Sequence, residues 1–348
     1  MPLPVEVADR VRRAAIAAAY RTETGVRDWI SRRAAGRGWT PAVIPYAGYA
    51  GPEQARVLGR VVLSPAAVDP AAVRGIAGWR RLLTLESPGT EVTVELDGTT
   101  TTLTSDAAGL IDAPIALDRP LGAGTTTALL YAGGRRPVSA TVHVAGATPG
   151  HGAVCDIDDT VWVTGLAHPL RAAWRTLSGT SATRRSVPGM AALLQAAVAG
   201  QEHPPVVYLS NGAWNFAGPI TRFLDRHGFP PGAILMTDWG ITPHRWFRDG
   251  RAHKSSSLTR LVQELPHLRW VLIGDDGEHD PAIYTGLAET HPEHVAAIAL
   301  RQVTPGSQGG TDQQTGSVNG VPVLTGPDGE ALLPLLQAAL RQHPPNNV

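Results

Sequence analysis

Three aspartates stand in the run "DIDDT", residues 156 to 160, at the end of an unbroken apolar stretch. Carboxylates in such a place are costly unless a cation or hydrogen bonds compensate them. Asp156 and Asp158 lie two positions apart, so they share a face on a continuing strand and can point into one cleft where the strand turns into a loop. A second acidic group follows another apolar run in "GDDGEHD", with Asp275, Asp276 and Asp280. Two such groups converging at one sheet edge call for a hard, oxygen-seeking divalent cation, and Mg2+ fits best. Between the two groups lie "YLSNG", with Ser210, Asn211 and Gly212, and "AHKSSSL", which holds Lys254. Lys254 is the only lysine among thirty basic residues, in a chain that otherwise uses arginine.

These residues need elements that end together. "GAVCDIDD", "PPVVYLSNG", "AILMTDWG", "RWVLIGDDG" and "HVAAIALRQ" are continuous apolar runs closing on polar residues, the pattern of strands buried on both faces. Helical patterns lie between them, including 189–200 and 255–264. The expected fold class is therefore α/β, a parallel sheet of Rossmann-like character with covering helices, spanning 151–345. Ligands of such sheets bind beyond the carboxyl ends of the strands. Residues 162–188 read as a small cap insertion whose Arg171, Arg175, Arg184 and Arg185 either read a head group or solvate a helix. The stretch 304–320, "TPGSQGGTDQQTGSVNG", is low in complexity and reads as a mobile loop.

The preceding 41–147 has a different texture. "EVTVELDGTTTTL" places Val92, Val94 and Leu96 on one face and offers Asp97-Gly98 for a tight hairpin, and "SATVHVAG" repeats the alternation. Several such runs between turn signals predict an all-β sandwich, joined to the next domain by the Gly- and Pro-rich "GATPGHG". Residues 1–40 form an N-terminal segment in which Val7, Val11, Ala14, Ala15 and Ala18 recur at helical spacing. Through residue 37 eight arginines face four acidic residues, an excess that favours an anionic surface, although the mostly alanine face also suits packing on the protein itself.

Composition bounds the function classes. The 348 residues suffice for two domains. A formal net charge of zero gives no global case for nucleic acid. A single cysteine, Cys155, excludes an internal disulfide framework and a cysteine zinc site. No apolar run approaches the roughly 18 residues of a membrane span, and no secretory cleavage pattern opens the chain, so the expected location is cytoplasmic, with peripheral contact at the inner membrane surface through the N-terminal helix.

Taken in order, "DIDDT", "YLSNG", "HK" and "GDDGEHD" resemble the phosphatases of the haloacid dehalogenase-like superfamily. "GDDGEHDPAIY" and "YLSNGAWN" are most similar to the actin-patch type of phosphatidate phosphatase and its bacterial relatives, in which a β-rich segment commonly precedes the catalytic domain. The resemblance implies Asp156 as a nucleophile forming an aspartyl-phosphate, and Asp158 as general acid and base. It implies Mg2+ held by Asp156, the Asp158 backbone carbonyl and Asp275, with Asp280 ordering the outer shell. Ser210, with N–H groups around Asn211 and Gly212, would hold phosphoryl oxygens, with Trp214 beside them. Lys254 would bridge nucleophile and phosphate as a compact point charge, which a wider guanidinium serves poorly. Two departures stand out: Gly212 and Ala213 occupy positions where the family has Ser-Pro, and Asp276 replaces the serine expected after Gly-Asp.

The bland readings are a loop cap or structural calcium site for "DIDDT", and core packing for most of Trp162, Trp174, Trp214, Trp239 and Trp246. The function expected is a Mg2+-dependent phosphomonoesterase acting on phosphatidate or a related lipid phosphate. The alternatives are a phosphatase of a soluble ester, or a membrane- or protein-binding module whose site has decayed.

Overall fold

A computed structural model describes residues 30–68, 70, 85–163, 185–201, 203–237, 243–277, 279–303 and 314–342. The first sheet contains β1 (Trp39–Ala50), β2 (Gln54–Pro65), β3 (Leu85–Glu86), β4 (Glu91–Leu96), β5 (Thr99–Thr104), β6 (Leu110–Ala116), β7 (Gly124–Tyr131) and β8 (Val138–Val144). Its order is β3-β2-β1-β8-β7-β4-β5, and β6 shares the outer edge of β2 with β3. The β1–β8 pair is parallel, and the other pairs are antiparallel. Asp97 and Gly98 turn the β4–β5 hairpin with φ of 48° and 88°, the doubly left-handed turn expected of an Asp-Gly pair. Val92, Val94 and Leu96 point inward with Val57, Val61, Leu130 and Val142 to form this sheet's core.

The second sheet contains β9 (Gly150–Asp156), β10 (Val206–Ala213), β11 (Ala233–Thr237), β12 (Leu268–Asp275), β13 (Val295–Arg301), β14 (Gln314–Val318) and β15 (Val321–Gly326), in the order β11-β10-β9-β12-β13-β15-β14. The helices are α1 (Met190–Ala197), α2 (Ala217–Arg226), α3 (Pro243–Glu264), α4 (Asp280–Thr290) and α5 (Gly329–Gln342). Its core draws in Tyr49 and Leu58 from the first sheet, so one apolar cluster crosses the seam between them.

The expected fold class, a parallel Rossmann-like sheet behind an N-terminal helix and a two-sheet β-sandwich, is corrected. Among the described residues strand outweighs helix, 43% against 28%, in curled mixed sheets. The first eight strands share one hydrogen-bonded network, and the second sheet ends in an antiparallel edge where β14 pairs β15. The other five pairs of this sheet are parallel, and β14, Gln314–Val318, has no continuous apolar run to announce a mixed edge; alternation in turn reports one buried face, which a curled sheet satisfies as well as two facing ones. The helix expected over 5–20 lies outside the described residues. Of the stretch expected as a mobile loop over 304–320, residues 304–313 lie outside, while Gln314–Val318 is β14, turned into β15 by Asn319 and Gly320 with φ of 48° and 81°. The stretch expected as a cap insertion is described only at its ends, where Val163 N–H donates to Arg185 O and Val187 N–H to Val161 O, pinching the exit and return of the chain together.

Candidate active site

β9 is the axis of the second sheet. All seven of its residues are buried, and it runs parallel to β10 on one side and β12 on the other, with Leu209 opposite Asp156 and Ile273 opposite Cys155. Strands paired in this register end at one edge, so Asp156, Ser210 and Asp275 arrive there together. Lys254 comes from within α3, which starts at Pro243 rather than near residue 255; proline is tolerated in a first helical turn, so it does not mark a break. Asp280 opens α4 and packs against Gly274, where a Cβ would lie 2.5 Å from its Oδ2. Only glycine lets that helix approach so closely.

One oxygen each of Asp156, Asp275 and Asp280 fall within 4.8 Å of one another, and all three residues are buried. Lys254, 2% exposed, donates from Nζ to Asp156 Oδ1 and to Asp280 Oδ1, both at 2.6 Å. Three carboxylates against one ammonium leave two negative charges, the deficit that one divalent cation fills. The donor set is all oxygen, and Asp280 Oδ2 is buried with no hydrogen-bond partner. The cluster therefore fits a hard metal ion. Burial pushes the Asp156 carboxyl well above its ordinary range; Lys254 opposes this, and Asp280, Asp275 and Asp158 add to it. Burial acts to lower the Lys254 ammonium, but Asp156 and Asp280 overturn it and hold the ammonium well above its ordinary value. The two directions look opposed for an ion pair. They are compatible because burial, with the neighbouring carboxylates after it, disfavours the ionised form of Asp156, while Lys254 has two carboxylate partners that together outweigh its own burial.

Asp158 is half-buried beside this cluster. Its Oδ1 accepts from Trp162 Nε1 at 3.1 Å and its Oδ2 from Ser210 Oγ at 3.4 Å. Gly212 N–H donates to Ser210 Oγ at 3.0 Å, so that N–H is committed to shaping the turn, and Thr237 at the end of β11 donates to the Asn211 carbonyl at 2.8 Å. Gly277 N–H donates to Asp275 Oδ1 at 2.6 Å, and Asp276 Oδ1 accepts from Val303 N–H at 2.7 Å, which gives the aspartate at the expected serine position a local structural partner. Trp214 is buried, its ring stacked on Tyr46. Trp174, Trp239, Arg171, Arg175 and Arg184 lie outside the described residues.

The structure thus brings Asp156, Asp275, Asp280 and Lys254 into one cluster, with Asp158, Ser210 and Gly212 adjoining. Trp162 and Thr237 were not singled out for such roles. Trp162 follows Asp158 by four residues across a tight turn, Val161 N–H donating to Ile157 O, and nothing in the sequence pattern distinguishes it from a core tryptophan. Thr237 carries the weaker signal of a hydroxyl closing an apolar strand.

A lysine clamped between two carboxylates, with a third carboxylate beside them at the ends of parallel strands, is a site able to hold a hard cation next to a fixed positive charge. Residues 151–302 match the family described as phosphatidate phosphatase APP1, catalytic domain. Phosphatidate phosphatase APP1 of Saccharomyces cerevisiae is 25% identical over 167 residues, 47% of this chain, and the uncharacterized protein C29B5.04c of Schizosaccharomyces pombe is 26% identical over 170 residues, 49% of this chain. The match covers 28% of the length of each of these curated relatives. Among solved structures, a chain of a Pnkp1/Rnl/Hen1 complex aligns over 46% of this chain and 48% of its own at 18% identity, with a TM-score of 0.32 that is too low to carry an argument. The family match and the yeast relative support a phosphoric monoester hydrolase. No described helix is long and apolar enough to cross a membrane.

Proposed function

We propose that this chain is a Mg2+-dependent phosphomonoesterase of the haloacid dehalogenase-like kind, acting on phosphatidate or a related lipid phosphate through an aspartyl-phosphate on Asp156. The observation that carries the reading is the Lys254 clamp on Asp156 within the buried aspartate cluster. Mg2+ held by Asp156, Asp275 and Asp280 would neutralise the cluster and polarise the phosphate. Lys254 fixes the Asp156 carboxylate and offers its charge to a phosphoryl oxygen. A carboxylate oxygen of Asp156 attacks phosphorus as the bond to the leaving alkoxide breaks, and Asp158 gives that alkoxide its proton. Asp158, held by Trp162 and Ser210, then takes a proton from the water that attacks the aspartyl-phosphate, releasing orthophosphate and restoring Asp156. The domain division at about residue 150 and the role of 162–188 as a cap belong to the same reading.

The preference for a lipid ester is supported by the similarity to the yeast phosphatidate phosphatase APP1. The test is a panel of phosphatidate, lysophosphatidate, sugar phosphates and nucleotides, with Mg2+ or EDTA and with or without detergent micelles. The expected result is Mg2+-dependent phosphate release, greatest with phosphatidate in micelles. Preference for a soluble ester would replace the substrate class, and no release from any ester would sink the phosphatase reading.

A further inference from the structure

Two strands of the first sheet grip the residues that follow Ser210. β10 runs through Ser210 to Ala213, and a short 3-10 helix, Trp214–Phe216, begins at the next residue with no side-chain cap at Ala213. Its direction is therefore not set by local capping. Tyr46 of β1 stacks on Trp214, ring centroids 4.7 Å apart and planes at 23°, and donates its hydroxyl to the Trp214 carbonyl at 3.3 Å. Arg60 of β2 donates from Nη1 to the side-chain oxygen of Asn215, from Nη2 to Glu86 at 3.0 Å and from Nε to the Ala108 carbonyl at 3.2 Å. A planar guanidinium pinned at two points on its own sheet has no freedom to follow Asn215, so Asn215 is fixed to the sheet. An apolar seam would suffice to hold two sheets together. Burying a guanidinium is costly unless its hydrogen bonds are well placed, and here one of them reaches five residues beyond Ser210.

We infer that Arg60, acting through Asn215, is a positioning residue for the Ser210–Gly212 turn, so that the first sheet sets part of the geometry in which a phosphate is held. This rests on the phosphatase reading. Asn215→Ala removes the acceptor while Arg60 keeps Glu86 and Ala108, whereas Asn215→Asp restores an oxygen at that position. The experiment uses the full chain with Mg2+, measuring kcat and KM on an aryl phosphate, inhibition by inorganic phosphate, and thermal unfolding. Asn215→Ala is expected to lower kcat/KM by about tenfold to a hundredfold, the range associated with small misplacements near reacting atoms. It should also weaken inhibition by inorganic phosphate, while Asn215→Asp recovers most of both. Arg60→Lys, which keeps a charge against Glu86, should act in the same direction, and the double variant Arg60→Lys/Asn215→Ala should be no worse than the weaker single one. A folded Asn215→Ala variant within about twofold of wild type, or losses that add in the double variant, overturns the inference. If Asn215→Ala does not fold, Arg60→Lys carries the same two outcomes. An inactive wild type overturns the phosphatase reading instead, and this inference with it.

Discussion

Replacing Lys254 by arginine keeps the charge and changes only its shape. The ammonium touches Asp156 and Asp280 at 2.6 Å each, from a side chain 2% exposed, so there is no open space into which a larger head can retreat. Arginine adds about two heavy atoms and demands coplanar acceptors. Overpacking of this kind costs about 1–3 kcal/mol of stability. Both short contacts cannot survive it, and a shift of about 1 Å at a reacting group costs on the order of a hundredfold in rate, or about 2.7 kcal/mol of barrier. Turnover of an aryl phosphate by Lys254→Arg should therefore fall by that order, while KM changes little because a positive charge still faces the ester. Lys254→Ala should be worse in both respects, since it leaves buried carboxylates uncompensated, a change that costs about 3–5 kcal/mol. Steady-state kinetics at saturating Mg2+, with melting curves to confirm folding, decide the matter. An arginine variant as active as wild type would refute the bridging role.

Asp156→Asn should abolish phosphate release while leaving the protein folded, because the substitution also removes one of the crowded carboxylates; activity within about tenfold of wild type contradicts a nucleophile there. Asp275→Asn should raise the Mg2+ concentration for half-maximal activity by at least about tenfold, the loss seen even for outer-shell ligands, and should abolish the rise in melting temperature that Mg2+ gives the wild type. An unchanged Mg2+ requirement would remove Asp275 from the metal set. Burial, and next Arg260, push His253 down to about 4 from 6.5. The unfolded chain thus binds that proton more tightly, so this contribution is full above about pH 6.5 and declines toward about pH 4, by on the order of 3 kcal/mol. Urea unfolding of His253→Leu should depend less steeply on pH across that window, and equal slopes would contradict a buried neutral imidazole.

The strand ends were legible because chemistry interrupts a simple pattern there. Five apolar runs each closing on polar residues give the positions of Asp156, Ser210 and Asp275 without any knowledge of strand order, and Asp97-Gly98 declares its hairpin through the one local property, positive φ, that few residues tolerate. Asn319-Gly320 declares one by the same property, yet low complexity around it masked the signal and led to a loop in place of β14. The seam was not legible at all. Arg60 meets Asn215 across 155 residues, Tyr46 meets Trp214 across 168, and Tyr49 meets Glu264 across 215, contacts to which no periodicity corresponds. A buried arginine in a strand such as β2 reads from sequence as a solvated side chain, since the partners that neutralise it are known only once the two sheets are in contact. The same holds on α3, where Glu264 takes Tyr49 and Arg56 of the first sheet on the helix that also carries Lys254. The Ser210 turn, which holds Asp158, and the Lys254 helix are thus both fastened to a sheet that contributes no residue to the proposed chemistry. That arrangement makes the boundary near residue 150 a poor place to cut the chain.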